Sequence, residues 1–151
     1  MLSNKAKYAL KAMHALAACT SDETLPSTDI AHAQNIPKKF LDLILFELRR
    51  AKLLTSARGQ TGGYRLAKPA AKITLADIVR AIDGPLAPIA CASVTAYERC
   101  ADCDVERDCP VNRAMRAVRN AASDVLDSTT LEMSCKATRR KPAKRRTKAL
   151  A

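Results

Sequence analysis

The sequence contains few aromatic residues and few histidines. Trp is absent, and aromatic residues account for 3% of the 151 residues. A buried core must therefore consist mainly of Ala, Leu, Ile and Val, and the abundance of Ala and Leu favours helices. The chain has two His, and neither a nucleophile motif nor a phosphate-binding loop can be recognised. Because a catalytic site needs such groups, we expect a protein that is not an enzyme.

Long apolar runs are also lacking. No stretch reaches the roughly 18 consecutive apolar residues that a membrane-spanning helix requires. A short apolar segment before Cys19 resembles a lipoprotein cleavage site, but it contains His14 and fits an amphipathic helix better. We therefore expect a cytoplasmic protein without a membrane partner.

Acidic residues are outnumbered, 15 against 26 Lys and Arg, which gives a formal net charge of +11. The charge is 0 over residues 1–36, +6 over 37–68, −3 over 69–135 and +8 over 136–151. An excess of this size indicates a polyanionic partner. Residues 136–151 contain eight Lys or Arg and few large apolar residues, so we expect a disordered basic tail. This tail can serve as a non-specific nucleic-acid arm or as a solubilising end.

Two short helices joined by a tight turn are predicted over about residues 28–51. The first starts at Ser27 or Thr28, whose hydroxyl can cap the first turn. Asn35 can adopt the left-handed conformation that ends a helix, and Pro37 suits the first turn of the next one. The apolar face of the second helix comprises Phe40, Leu41, Ile44, Leu45 and Leu48. This arrangement is a helix-turn-helix, which reads DNA with its second helix.

A glycine-rich hairpin follows at about residues 53–67. Strand-like runs lie at 52–56 and 63–67, and three of the four glycines fall at 59, 62 and 63, as a tight hairpin requires. A helix-turn-helix followed by such a hairpin is a winged helix. Tyr64 can contact the sugar-phosphate backbone or pack on the hairpin. Across both elements we predict six DNA-binding residues: Lys38, Lys39, Arg49, Arg58, Tyr64 and Arg65.

Four of the six cysteines fall between residues 91 and 109, among several carboxylates. They are Cys91, Cys100, Cys103 and Cys109. Disulfides are disfavoured because the chain is expected inside the cell. A structural zinc ion is possible, since thiolate zinc sites use C-x2-C pairs, but only one such pair exists here. An iron-sulfur cluster tolerates uneven spacing and is the preferred interpretation.

A long helix is predicted at about residues 110–127, with Pro110 in its first turn. Small apolar residues recur along it at three- and four-residue steps: Val111, Ala114, Val118, Ala121 and Val125. The stripe can pack on the domain, but we interpret it as the contact of a two-fold dimer, because DNA readers of this type usually act as dimers.

Several motifs together resemble the Rrf2 family of bacterial regulators, which includes IscR, NsrR and RirA. They are the opening residues 2–10, the Asn35-Ile36-Pro37 turn with Phe40-Leu41, the wing at 58–66, the helix start at 73–75 and the three-cysteine loop. The resemblance covers residues 1–130 in unbroken order. It implies a dimeric winged-helix transcription factor that senses iron, redox state or nitric oxide through a cluster.

The resemblance also implies which residues hold the cluster. The three family cysteines fall on Cys91, Cys103 and Cys109. IscR-like members place a His three residues after the last cysteine, where this chain has Asn112. NsrR-like members use an acidic residue of the partner's first helix, at a position that corresponds to about Lys7. Cys100 is therefore the candidate fourth ligand, of a 2Fe-2S or a 4Fe-4S cluster.

The predicted fold is mainly α with a small β-wing. A winged helix-turn-helix regulator spans residues 1–131, with the cysteine loop at 91–109 and the long C-terminal dimerisation helix, and the basic tail follows at 136–151. We expect a homodimer that binds a double-stranded DNA operator as a repressor controlled by the cluster. The alternative is a zinc-stabilised architectural DNA-binding protein without a sensing role.

Overall fold

The computed structural model describes residues 2–19, 23–57, 59 and 62–138. Its regular elements are α1 Asn4–Ala17, α2 Ser27–Gln34, α3 Lys38–Arg50, β1 Leu54–Ala57, β2 Gly63–Leu66, α4 Leu75–Asp83, α5 Pro110–Ser128 and α6 Leu131–Thr138. Short 3-10 turns lie at Ala70–Lys72, Ala90–Ala92 and Glu106–Asp108. None of the helices in the described ranges combines the length and apolar character needed to cross a bilayer. The predicted fold class, mainly α with a small β-wing, is confirmed.

The turn between α2 and α3 has the predicted conformation. Asn35 ends α2 in the left-handed region with φ 51°, and the Ile36 amide donates to the Ala31 carbonyl at 2.9 Å. The predicted hydroxyl cap of α2 is wrong, because Pro26 occupies the N-cap position without a side-chain hydrogen bond. The Thr28 hydroxyl instead donates to the Asp29 carboxylate. The turn therefore depends on backbone conformation and on the buried Ile36.

The core lies between α1, α3 and α4, where apolar residues recur at helical spacing. On α3 the four fully buried residues are Leu41, Ile44, Leu45 and Leu48. They form one cluster with Met13 of α1 and Ile78 of α4. Phe40, predicted on the same face, is only half-buried and packs edge-on against the Tyr8 ring, 5.8 Å away. The core thus fixes the orientation of α3 from one side and leaves its opposite side outward.

The wing is a two-stranded antiparallel hairpin in which Leu54 pairs with Leu66 and Ala57 with Gly63. The first strand starts later than the run 52–56 suggests, because Lys52 has φ 58° and belongs to the preceding turn. A Cβ at Gly63 would lie 2.5 Å from the Leu25 carbonyl. Glycine is therefore required where the residue 25 backbone joins the sheet edge through Tyr64.

The C-terminal part consists of α5 and α6. Pro110 occupies the first turn of α5, as predicted, and Cys109 is the N-cap. Helix α6 was not predicted; its Leu131 is fully buried against the winged-helix core. Lys136, where the predicted tail begins, is in α6 and pairs with Glu132. The rest of the predicted tail, residues 139–151, lies outside the described residues.

Candidate nucleic-acid interface and cysteine site

Three of the predicted DNA-binding residues lie on α3. Lys38 is exposed and forms an ion pair with Asp42 at 2.7 Å. Lys39 is exposed beside it. Arg49, near the end of the helix, donates to the Ser56 hydroxyl of β1 at 3.2 Å. This bond connects α3 to the wing, so Arg49 fixes the two elements relative to each other and also carries charge at their junction.

The remaining three predicted DNA-binding residues belong to the wing. Arg65 is exposed on β2, and its Nε donates to the Thr55 hydroxyl across the hairpin at 3.3 Å. Tyr64 is half-buried and its backbone bonds to Leu25 in both directions. This supports the packing role considered for Tyr64. Arg58, predicted to lie in the wing, is outside the described residues.

The outer face of α3 also carries residues that sequence reasoning missed. Leu43 and Phe46 are 58% and 48% exposed. The guanidinium carbons of Arg49 and Arg50 lie 5.7 and 5.9 Å from the centre of the Phe46 ring. A helical projection reveals this face, because residues 43 and 46 lie opposite the buried positions 41, 44, 45 and 48.

The four clustered cysteines are free, half-buried thiols at different places on one segment. Cys91 lies in the 3-10 turn Ala90–Ala92. Cys100 and Cys103 follow in irregular backbone, and Cys109 caps the N-terminus of α5. The Asn112 amide donates to the Cys109 sulfur at 3.5 Å. The segment therefore brings soft donors to the start of the long helix.

Three of these thiols are direct neighbours. Hydrogen bonds with Cys109 and Cys100 raise the pKa of Cys103 to about 12. The Asn112 amide, followed by the bond from Cys103, lowers the pKa of Cys109. The position of Cys109 at the helix N-terminus, where the Asn112 amide donates to its sulfur, is the physical cause of the lowered pKa.

Two polar side chains fix the backbone around the thiols. The Glu106 carboxylate accepts from the Cys100 amide and from the Tyr97 hydroxyl, both at 2.8 Å. The amide bond lowers the pKa of Glu106, and the hydroxyl bond adds to this. Asn112, only 5% exposed, donates its side-chain amide to the Cys91 carbonyl at 3.0 Å. Asn112 therefore links the Cys91 carbonyl to the Cys109 sulfur through its side-chain and backbone amides.

The donor chemistry of this segment fits a thiolate-bound iron-sulfur cluster. Soft thiolates are the usual protein ligands of such clusters, and three cysteine thiols that could supply them adjoin here. Within the described ranges, no group of three or more Cys, His, Asp or Glu side chains is already arranged to hold a metal ion. Cysteine binds iron as its thiolate, so ligation requires the loss of the S–H protons.

The fold and the exposed basic face define a winged-helix protein of the DNA-binding class. Residues 2–137 match the Rrf2 family, described as iron-dependent transcriptional regulators. The chain belongs to this family, so the resemblance seen in the sequence is confirmed. An HTH-type transcriptional regulator of Rhodobacter capsulatus, described as rrf2-like, is 40% identical over 135 residues, covering 87% of this chain and 90% of that protein.

Solved structures of relatives have the same fold. The structure of CymR, the global cysteine regulator of B. subtilis, matches with a TM-score of 0.74 and 32% identity, covering 91% of this chain and 97% of that one. The structure of IscR from T. potens matches with a TM-score of 0.71 and 25% identity, covering 95% and 93%. These relatives are DNA-binding transcriptional regulators and not enzymes, which confirms the expectation that this chain is a regulator rather than an enzyme.

Proposed function

We propose that the protein is a homodimeric repressor whose affinity for a double-stranded operator is set by an iron-sulfur cluster on the cysteine segment, residues 91–109. The adjacency of Cys100, Cys103 and Cys109 at the N-terminus of α5 carries this proposal. When bound, such a cluster supplies a centre that iron supply, oxidants or nitric oxide can alter. Cys91, Cys103 and Cys109 would hold it as the shared ligands, and Cys100 as the fourth.

The DNA-binding role rests on the exposed basic face. Lys39, Arg49 and Arg65 are exposed on α3 and the wing, within a region of net charge +6. The second helix of a helix-turn-helix enters the major groove, and basic side chains around it contact phosphates. Arg58, which follows the first wing strand in the sequence, is proposed to extend this contact.

A continuous set of contacts leads from the cysteines to the DNA-binding helix. Arg119 of α5 donates to the Ala92 carbonyl beside Cys91. Farther along α5, Asp127 forms a two-point ion pair with Arg80 of α4, at 2.6 and 2.8 Å. Helix α4 packs on α1 and α3. If two arrangements of the cysteine segment give the protein different affinities for DNA, a cluster that binds one arrangement better shifts the population toward it.

The dimer is proposed to form along the exposed face of α5. The predicted stripe is exposed throughout, and Val118 at its centre is 51% exposed. Val118→Asp should place an unpaired carboxylate in the contact and give monomers in sedimentation. Arg113→Asp, on the same helix outside the stripe, serves as the control. A wild-type monomer at working concentration would contradict the proposal.

The cluster is tested with protein purified without oxygen. We expect visible absorbance with iron and sulfide, and a change in DNA affinity when the cluster is removed. Ser substitution of Cys91, Cys103 or Cys109 should abolish assembly, because only two of the three shared thiolates then remain. Cys100→Ser should assemble some cluster and lose it faster in air, since three thiolates remain. If Cys100→Ser is the most damaging of the four substitutions, the ligand assignment is wrong.

A zinc-stabilised architectural protein is the second candidate, favoured by the C-x2-C pair of Cys100 and Cys103. Their thiols adjoin Cys109, which would give three thiolate ligands for a single ion. This candidate predicts a colourless protein with one zinc per chain and DNA affinity that does not respond to oxidants. Metal analysis of the same preparation distinguishes the two.

A further inference from the structure

The outward side of α3 is centred on two apolar residues. Lys39, Leu43, Phe46 and Arg50 follow one another at steps of four, three and four residues and therefore form one stripe, which we call the outer stripe. All four are exposed. The stripe lies opposite the buried face of Leu41, Ile44, Leu45 and Leu48. The two basic residues lie at the ends of the outer stripe, and Leu43 and Phe46 lie between them.

Contacts on both flanks of α3 leave the outer stripe uncovered. On one flank, Glu47 pairs with Lys5 of α1 at 2.7 Å, and Phe40 packs on Tyr8. On the other flank, Arg49 donates to Ser56 of the wing. Neighbouring elements therefore fix the rotation of the helix about its axis, so Leu43 and Phe46 lie between the flank that contacts α1 and the flank that contacts the wing.

Arg49 and Arg50 place their charged groups next to the ring of Phe46. Both guanidiniums lie within 6 Å of the Phe46 ring centre, in the range of cation-π attraction. This geometry places two phosphate-binding groups beside an exposed ring. A surface of this kind fits a polyanion that also presents apolar groups, and the surrounding net charge of +6 over residues 37–68 favours DNA over a second protein.

We propose that Leu43 and Phe46 recognise thymine through its C5-methyl group in the major groove. This inference rests on the proposed binding of DNA by α3. Among the base edges of the major groove, the thymine methyl is the apolar feature that such side chains can contact. Leu43 and Phe46 can neither donate nor accept a hydrogen bond, so they select a methyl group rather than a polar edge. The operator should therefore contain thymine where the centre of α3 crosses the groove.

The test uses the full-length chain and a duplex that it selects from a random-sequence library. Each thymine of the selected site is replaced by uracil, which lacks only the methyl group, and binding is measured by fluorescence anisotropy. Loss of each contacted methyl should weaken wild-type binding about fourfold, from about 0.8 kcal/mol per buried methyl-sized group. At a thymine whose methyl group is contacted by Phe46 or Leu43, the variant that lacks that side chain, Phe46→Ala or Leu43→Ala, should bind the thymine and uracil duplexes equally.

Two further variants separate the methyl contact from other effects. Phe46→Leu removes the aromatic ring that attracts the guanidinium groups of Arg49 and Arg50 but keeps an apolar side chain. Overall affinity for DNA should therefore fall, while discrimination against uracil persists. Met133→Ala removes an exposed apolar side chain from α6 and should leave discrimination unchanged.

The outcomes separate this inference from the proposed function. If wild type binds DNA but tolerates uracil at every position, the inference is wrong and DNA binding stands. If Leu43→Ala and Phe46→Ala change self-association but not uracil discrimination, the stripe is a protein interface and the inference is also wrong. Failure to select any duplex would overturn both. The wild-type measurement needs no substitution in the protein, so a misfolded variant cannot obscure the result.

Discussion

The winged-helix part of the molecule, residues 4–83, and the cysteine segment, residues 91–109, are held by different interactions. In the winged-helix part, α1, α3 and α4 bury large apolar side chains, among them Met13, Ile44 and Ile78. In the cysteine segment only Ala92 and Ser93 are buried, and large apolar side chains such as Val105 are exposed. Hydrophobic burial therefore stabilises the first region and contributes little to the second.

Polar bonds replace apolar packing in the cysteine segment. Glu106 binds the Cys100 amide, Asn112 the Cys91 carbonyl and Arg119 the Ala92 carbonyl. A region with few buried contacts opens locally at low free energy. The rigid part therefore carries the exposed basic face, while the weakly stabilised part is the one whose arrangement can change at low free energy.

The largest expected effect comes from removing apolar volume in the rigid region. Leu45→Ala should lower the free energy of unfolding by about 3 kcal/mol, because it leaves a cavity beneath α3 where Leu45 is fully buried. The matched change in the cysteine segment, Val105→Ala, should shift it by less than about 0.5 kcal/mol. Urea unfolding followed by circular dichroism measures both. Similar losses in the two variants would show that the regions do not differ as we describe.

Much of the rigid region could be predicted from sequence because its signals are local. The spacing of Leu41, Ile44 and Leu48 identifies the buried face of α3, and Asn35 with Pro37 identifies the turn before it. The glycines of the wing point to a hairpin, and Gly63 does stand at a close backbone approach. In each case the residue type or its spacing reflects a local requirement of a helix, a turn or a hairpin that holds in any protein.

Other features depend on distant contacts and could not be predicted in this way. Helix α6 is short, and its stability rests on Leu131, whose amide donates to the Ile73 carbonyl. The sequence groups Cys100 with Cys103 and Cys109, but it does not reveal that the Glu106 carboxylate binds the Cys100 amide and fixes the irregular backbone between them. The exposed position of Phe46 is different, because it follows from helical spacing alone: residue 46 lies opposite the buried positions of α3.

A smaller effect is expected from the buried amide of Asn112. Asn112→Ala should lower the free energy of unfolding by about 1 kcal/mol, because it removes one hydrogen bond and leaves the Cys91 carbonyl without this donor. Arg113→Ala, at an exposed position on the same helix, is the control. Amide hydrogen exchange should accelerate across residues 89–93 and remain unchanged in α3. Equal acceleration in α3 would mean that the cysteine segment is not separately stabilised.

The smallest effect concerns the ion pair of Arg80 and Asp127, which joins the rigid region to α5. Both side chains are substantially exposed, so Asp127→Asn should cost only about 0.5 kcal/mol at pH 7. The hydrogen bond from Arg80 lowers the pKa of Asp127 in the folded state. Its contribution is therefore present above the unfolded-state pKa of about 3.9 and is lost as the pH falls through the lower folded-state value. Urea unfolding should show that the difference in free energy of unfolding between wild type and Asp127→Asn is present at pH 7 and disappears in acid. Asp124→Asn makes the same chemical change on α5, and an equal loss in that variant would rule out a specific contribution from the pair.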